Sequence, residues 1–278
     1  MFSIIIPTFN NFEYLKLCLN SIKKNSNYKH EIILHLNNGN DGSLNFAIEN
    51  KIKHSFSENN IGLCTSINLA SKLATNKYIL YSHDDMYFCP YWDKYLYNEV
   101  KKIGHDNFYL SGTMIEPNSG HIVFNSGEDI ETFNENKLLT NIHKLNFYDH
   151  QGSHFAPHLV SKKMWDEVGG FSEEFNPGIG SDPDFNMKLW QNGVRIFKGL
   201  NNFKVYHFSS ITTRKKKKFV QNRGDRTFLK KWGITTKFFK KYYLKSKTIY
   251  TGPLSKPKIT FFYLVELTVC KIRKFFTI

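Results

Sequence analysis

The sequence predicts an α/β fold, with a mixed, mostly parallel central sheet flanked by helices and a basic helical extension after it. Three observations carry this. Short β-branched apolar runs alternate with amphipathic stretches through the first third of the chain. Each run stops at a polar, turn-rich segment, as buried parallel strands do at their carboxyl edge. The charge balance then changes abruptly near residue 212.

In chain order, residues 2–7 form an apolar run ended by Pro7 and read as a buried strand. Residues 11–24 place Tyr14, Leu15, Leu17, Leu19 and Ile22 at helical spacing. Residues 31–36 are a second strand, stopped by the turn sequence Asn37-Asn38-Gly39-Asn40-Asp41-Gly42. Residues 61–73 read as helix and 78–81 as a third strand. This alternation implies right-handed parallel crossovers, a Rossmann-like arrangement. Further on, 90–102 is expected to be helical, 108–115 a strand and 120–136 a polar loop or hairpin. Helices are expected over 162–168 and 182–192, each closed by glycine, with late strands at 194–197 and 204–207.

At 278 residues the chain can bury one good core, so the expected division is a main α/β domain over 1–211 and an appended segment over 212–278. The four cysteines are scattered without metal-site or disulfide spacing, which points to a reducing compartment. The first residues lack the basic flank and cleavage site of a secretory signal, so a cytoplasmic protein is expected. Residues 212–278 hold 19 Lys and Arg against two acids, a net +17, so the rest of the chain is −3 of the total +14. The excess fits a surface that meets anionic lipid or an anionic acceptor, or simply a Lys-rich coding bias. No nucleic-acid module accompanies it, so nucleic acid is not an expected partner.

Candidate chemistry lies at the strand ends. Asp84 and Asp85 follow a buried strand directly, where paired carboxylates are costly unless a cation sits between them. A hard divalent ion shared with diphosphate oxygens supplies that charge, and a helix N-cap is the plain alternative. Asp182 and Asp184 open a helix after a glycine-rich loop, where capping alone would account for them. His207 ends the last strand, a place where a backbone-bonded structural histidine is as natural as a ligand.

The order of these segments argues for chemistry over capping. Ile5-Ile6-Pro7-Thr8-Phe9-Asn10, the Asn37–Gly42 turn, Asn60-x-Gly62 with Asn68, His83-Asp84-Asp85, Val168-Gly169-Gly170-Phe171 before Asp182-x-Asp184, and His207-x-Ser209 follow one another. In that order they resemble family 2 of the glycosyltransferases, over roughly residues 2–210. The resemblance implies a GT-A fold, a nucleotide-diphosphate-sugar donor with a UDP-sugar foremost, Mn²⁺ or Mg²⁺, and inversion at the anomeric carbon. It places Pro7, Thr8 and Asn10 around the nucleotide. Asn37 or Asn38 stands where the family has an aspartate on the base, with Asp41 in the same loop. Gly62 and Asn68 fall on the helix over the nucleotide, Asp84 beside ribose or metal, and Asp85 and His207 on the metal. Asp182 matches the general base, with Asp184 as the alternate because Ser181 replaces the usual preceding glutamate.

His154, Phe155, His158 and Trp165 lie between these groups in sequence and offer rings for an acceptor glycan, Trp165 also reading as core. The run from Ile259 to Cys270 is apolar apart from Glu266, too short to span a bilayer. It suits either an interfacial helix or one packed on the body. The expected activity is hexosyl or N-acetylhexosaminyl transfer to a glycan or lipid-linked acceptor, with an anionic membrane surface as a further partner. The competing readings are an inactive sugar-nucleotide or glycan-binding module and a basic surface-binding protein.

Overall fold

The computed structural model describes residues 1–208 and 217–276, without the side chains of 217–222. Ser209, the Arg214-Lys215-Lys216 run and the expected domain boundary at 211/212 lie outside the described residues. In chain order the strands are β1 (Ser3–Phe9), β2 (Glu31–Asn37), β3 (Lys53–Ser57), β4 (Tyr78–Tyr81), β5 (Met86–Phe88), β6 (Phe108–Glu116), β7 (Ile122–Val123), β8 (His150–Gln151), β9 (His158–Ser161) and β10 (Ile196–His207). The helices are α1 (Phe12–Asn25), α2 (Ser43–Glu49), α3 (Leu63–Ser71), α4 (Trp92–Ile103), α5 (Glu135–Asn141), α6 (Lys162–Glu167), α7 (Ser181–Gln191), α8 (Lys217–Trp232), α9 (Thr236–Phe238) and α10 (Phe261–Phe275).

One sheet runs β3-β2-β1-β4-β9-β6-β10-β5. β1 to β4 are parallel neighbours, and β9 runs antiparallel between β4 and β6. β10 lies parallel to β6, and β5 returns antiparallel along it. The sheet is thus mixed and mostly parallel, as the sequence predicts. Ile4, Ile5 and Ile6 are fully buried, each contributing about 1.5–3 kcal/mol of apolar burial.

The chain adds an unexpected crossover between the second and third expected strands. α2 and β3 occupy it, and β3 forms the sheet edge. Its Lys-His-Ser-Phe-Ser sequence is polar and largely exposed, so it lacks a buried strand's signature. The two late strands join as one, β10, whose pairing with β6 shifts register between Gly199 and Lys204. Gly199 is needed there because a side chain would collide with the His150 ring, 1.9 Å from the added Cβ.

Two asparagines tie the helical layer to the loops. Asn68 on α3 donates to the Phe171 carbonyl and accepts from the Phe171 amide, both at 2.8 Å. Asn176 caps the same helix, accepting from Cys64 N at 2.9 Å and donating to Thr65 Oγ1 at 2.8 Å. Gly62 has a φ of +86° and lies so close to Asn176 that a Cβ would come within 2.5 Å of it. α3 is therefore bolted to the segment that leads into α7.

The segments after residue 217 share the main core through Phe228, Leu229, Ile234, Phe238, Phe239, Leu244, Leu254 and Cys270. α10 lays Tyr263, Leu267 and Cys270 on the body. Glu266, the acid that interrupts the apolar run, accepts from Lys241 Nζ at 2.5 Å and Tyr242 Oη at 3.0 Å. The opposite face leaves Phe261, Phe262, Leu264, Val265, Val269, Ile272 and Phe275 exposed. No helix among the described residues is long and apolar enough to cross a membrane.

Replacing Asn68 by Ala should leave both Phe171 backbone groups without their partner. Each unpaired buried group costs roughly 1–3 kcal/mol, so the denaturant midpoint should fall with an unchanged m-value. An unchanged midpoint would show that the α3 clamp carries no stability.

Candidate active site

Parallel pairing puts Phe9, Asn37 and Ser57 in line at one edge of the sheet. The end of β4 joins them, because Tyr81 pairs with Ile5 and Ser82 N donates to Ile5 O at 3.1 Å. The His83-Asp84-Asp85 segment therefore begins beside Thr8 and runs straight into β5. The antiparallel register of β5 and β10 pairs Met86 with His207, and Phe208 N donates to Asp85 O at 3.2 Å. Two residues more than a hundred positions apart are thus brought together by one short strand.

At that junction His207 Nε2 faces Asp85 Oδ1 at 3.4 Å, and His83 Nδ1 lies 3.9 Å from the same oxygen. His207 Nδ1 meets Glu116 Oε1 at 2.6 Å. Glu116 ends β6, beside His207 in the parallel β6–β10 pairing. Burial pulls the His207 pKa down, but Asp85 and Glu116 outweigh it and push it up to about 10. The ligand atoms of His83, Asp85 and His207 all lie within 4.8 Å of one another. His207 Nε2 is buried without a hydrogen bond among the described residues, while Glu116 fixes its other ring nitrogen. That is the arrangement of an imidazole oriented to bind a metal through Nε2. These residues therefore fit a divalent ion.

Two of these groups were not singled out in the sequence as ligands or their supports. His83 stands inside a quoted motif, and its place at a strand end was the available signal. Glu116 carries no motif, and only its position as a carboxylate closing a buried strand marks it.

Asp84 is half-buried next to this cluster. Burial, followed by the Asp85 charge, pushes its pKa up to about 7 against the pull of the Thr8 and Asn11 side chains. Pro7 and Thr8 are buried at the end of β1, and exposed Asn10 has a φ of +48°. Asn38 accepts from Asn40 N at 3.2 Å. Asp41 accepts from Ser43 N and Oγ through Oδ1, while its Oδ2 is buried without a partner among the described residues. Asn37 is wholly engaged in architecture. Its Nδ2 donates to Thr8 O and Ser66 Oγ, and its Oδ1 accepts from Ile61 N at 3.1 Å. An aspartate could not donate those bonds, which accounts for the amide at this position. Gly62 and Asn68 likewise serve the α3 clamps.

The two acids of α7 differ sharply. Asp184 is fully buried and saturated. Ser172 Oγ donates to its Oδ2 at 2.6 Å, and Trp232 Nε1 donates to Oδ1 at 2.8 Å with Lys231 Nζ at 3.0 Å. Asp182 Oδ1 is buried with no hydrogen-bond partner among the described residues. Burial pushes its pKa up to about 7, with Lys240 pulling the other way. Tyr81, Asp84 and Asp85 belong to the same electrostatic neighbourhood, since Asp182, Asp84 and Asp85 all act on the Tyr81 hydroxyl. Of the candidate acceptor rings, Trp165 and His158 are core, packed with Phe171 and Phe185. Phe155 is exposed.

Residues 3–165 match the family described as glycosyl transferase family 2. A search of the curated proteins gives no match. Among solved structures, S. aureus TarS residues 1–349 superposes with a TM-score of 0.57 at 19% identity, covering 75% of this chain and 60% of that one. The same fragment in complex with UDP-GlcNAc gives 0.55 at 19% identity, over 75% and 60% of the two chains. GalNAc-T7 with UDP, GalNAc and Mn²⁺ gives 0.57 at 15% identity, over 74% and 43%. The chain thus spans 60% or less of the length of these structures, and at such identities the likeness is one of fold.

Asp184→Ala should cost roughly 1–3 kcal/mol, because it leaves the Ser172 hydroxyl and the part-buried Trp232 indole without their acceptor. Asp182→Asn should behave oppositely. The native carboxyl holds its proton up to about pH 7, well above the ordinary value of 3.8, so the wild type loses stability as pH rises through that window. The asparagine variant escapes this loss. Metal-free thermal melts should show its advantage growing from about pH 4 and levelling above about pH 7. A pH-independent difference would contradict the raised pKa.

Proposed function

The chain belongs to glycosyl transferase family 2, and on that footing we propose that it is an inverting glycosyltransferase moving a sugar from a UDP-sugar to an acceptor hydroxyl. The observation that carries the reading is the unpartnered Oδ1 of Asp182, on a helix clamped to the same sheet edge as the His83, Asp85 and His207 ligand set. The UDP and UDP-GlcNAc complexes of TarS and the UDP complex of GalNAc-T7 support the choice of donor.

His83, Asp85 and His207 would hold the metal, and a pair of imidazoles with one carboxylate favours Mn²⁺ over Mg²⁺. When bound, a divalent ion supplies positive charge against the departing diphosphate. Glu116 keeps the His207 ring aimed into the site. Asp182 takes the proton from the acceptor hydroxyl as that oxygen bonds to the anomeric carbon and the bond to the diphosphate breaks on the opposite face. A carboxylate with a pKa of about 7 is matched to proton abstraction near neutral pH. Asp184, saturated by Ser172, Lys231 and Trp232, holds the helix that presents Asp182. Thr8, Asn10, Asn38, Asp41 and Asp84 line the nucleotide side, with Pro7 shaping the end of β1. Asn37, Gly62 and Asn68 support this wall from behind.

The exposed face of α10 extends the reading to a peripheral membrane enzyme, which suits a lipid-linked or envelope polysaccharide acceptor reached from the cytoplasmic side. Phe261, Phe262 and Phe275 project from it, and exposed Lys256, Lys258, Lys271 and Arg273 flank them. Apolar anchors among cations match an anionic lipid surface, where each lysine adds about 1 kcal/mol.

Release of UDP from UDP-GlcNAc or another UDP-sugar with acceptor should require a divalent ion and vanish in Asp85→Ala. Asp182→Asn should keep UDP affinity while lowering kcat by at least ~10². Full activity in chelator, or in either variant, would overturn the assignment. For the membrane surface, the Phe261→Asp, Phe262→Asp double variant should stay folded and lose co-sedimentation with anionic vesicles, and salt should weaken wild-type binding. Equal partition of wild type onto anionic and neutral vesicles would rule out the charged-lipid reading.

A further inference from the structure

Residues Phe239–Tyr243 form a single π-helical turn in the C-terminal segment, and it is wedged between two parts of the proposed active site. On one side it meets α7, where the Tyr243 and Trp190 rings lie 5.4 Å apart. On the other, the residues that follow it, Leu244 and Ser246, meet the 150–155 segment. Ser246 Oγ donates to Gly152 O at 2.8 Å, and a Cβ on Gly152 would come within 2.1 Å of Leu244 O. Lys240 is carried on this turn into the gap, with its ammonium 5.8 Å from the centre of the Phe155 ring.

Lys240 belongs with Lys188 and Lys204, enclosed lysines that form no ion pair among the described residues, and it lies near Asp182. Lys198, by contrast, holds Glu99 and Asp149, and Lys231 holds Asp184 and Glu174. Lys240 is half-buried. Burial pulls its pKa down, and Asp225 and Asp182 are near enough to favour its charge without pairing with it. Beside it, His154 is 4% exposed, and its Nε2 is buried without a hydrogen-bond partner. Its Nδ1 faces the Gly152 carbonyl at 3.1 Å. A carbonyl only accepts, so the proton sits on Nδ1 and Nε2 is left as an acceptor. Phe155, tilted against it with 3.9 Å between ring centres, is 40% exposed.

We propose that Lys240, His154 and Phe155 form an acceptor subsite for an anionic saccharide, next to Asp182. Each group has one part of that ligand to recognise. The ammonium takes a phosphate or carboxylate, the imidazole Nε2 takes a sugar hydroxyl proton, and the Phe155 face takes the apolar side of the ring. The proposal rests on Asp182 as the base, since that is what makes this gap the acceptor side. It gives the basic C-terminal segment a part in acceptor choice.

The test is an NMR titration of the full chain with glucose 1-phosphate, glucuronate and glucose, with and without saturating UDP and Mn²⁺. Both anionic sugars, or whichever carries the matching group, should bind about tenfold tighter than glucose, a gain ordinary for one enclosed charge-assisted contact. Lys240→Met should abolish the preference, Lys240→Arg should keep it, and Lys256→Met, which removes an exposed remote charge, should leave it intact. UDP affinity is a separate readout on the same samples, so failure of the donor site would be visible independently. Equal affinity for charged and neutral sugars, a preference that survives Lys240→Met, or displacement of the anionic sugar by UDP would overturn the subsite.

Discussion

Two carboxylates, Asp85 and Glu116, are buried on either side of one imidazole, and the rest of the site is arranged around that concentration of charge. Buried acids are expensive unless cations and hydrogen bonds meet them. Here the three residues come from three strands, and only the sheet order makes them neighbours. Glu116 closes β6, His207 closes the parallel β10, and Asp85 precedes β5, which returns along β10. Shifting β5 by one residue against β10 would turn its side chains to the other face. The site thus depends on a three-residue strand being held in register. Phe88 helps to fix it, packed between Trp92 and Phe203 at 4.8 and 6.1 Å.

Amides do the remaining positioning. Asn37, Asn68 and Asn176 each use donor and acceptor together, so each joins two segments that neither a carboxylate nor a hydroxyl could join alike. Asn37 links the ends of β1 and β2 to α3. Asn68 and Asn176 link α3 to the segment leading to Asp182. The ends of β1 and β2 and the segment leading to Asp182 are therefore joined through α3, as the proposed in-line displacement between them would require.

The sequence was most legible where burial and periodicity agreed. β1, β2, β4, β6 and α7 follow from apolar runs and glycine stops, and the ordered motifs mark the strand ends. β3 was illegible because an exposed edge strand needs no apolar alternation, and β5, β8 and β9 because two to four residues carry no period. Among the candidate site residues, Asp182 stands ahead of Asp184 only through the family resemblance, since as residues both suit a helix start. What separates them is Trp232 and Lys231, some fifty residues on, and no local pattern reports that contact. Glu116 escaped for the same reason, its partner His207 being ninety-one positions away.

The basic segment after residue 217 reads from composition as an appendage, but its contacts make it part of the main core. Asp184 is the junction. Ser172 holds one of its oxygens, and Lys231 and Trp232 from α8 meet the other. α7, and with it Asp182, is thereby fixed to a helix of the basic segment. Glu266 works in the same sense at the far end, holding α10 to Lys241 and Tyr242. Asp184 thus ties the strongly cationic stretch to a body of slight negative charge, while Glu266 ties two parts of that stretch to each other. Under the proposed reading, exposed Lys256, Lys258 and Lys271 are the ones placed to face lipid and half-buried Lys240 the one placed to face the acceptor, a division that net charge alone could not make.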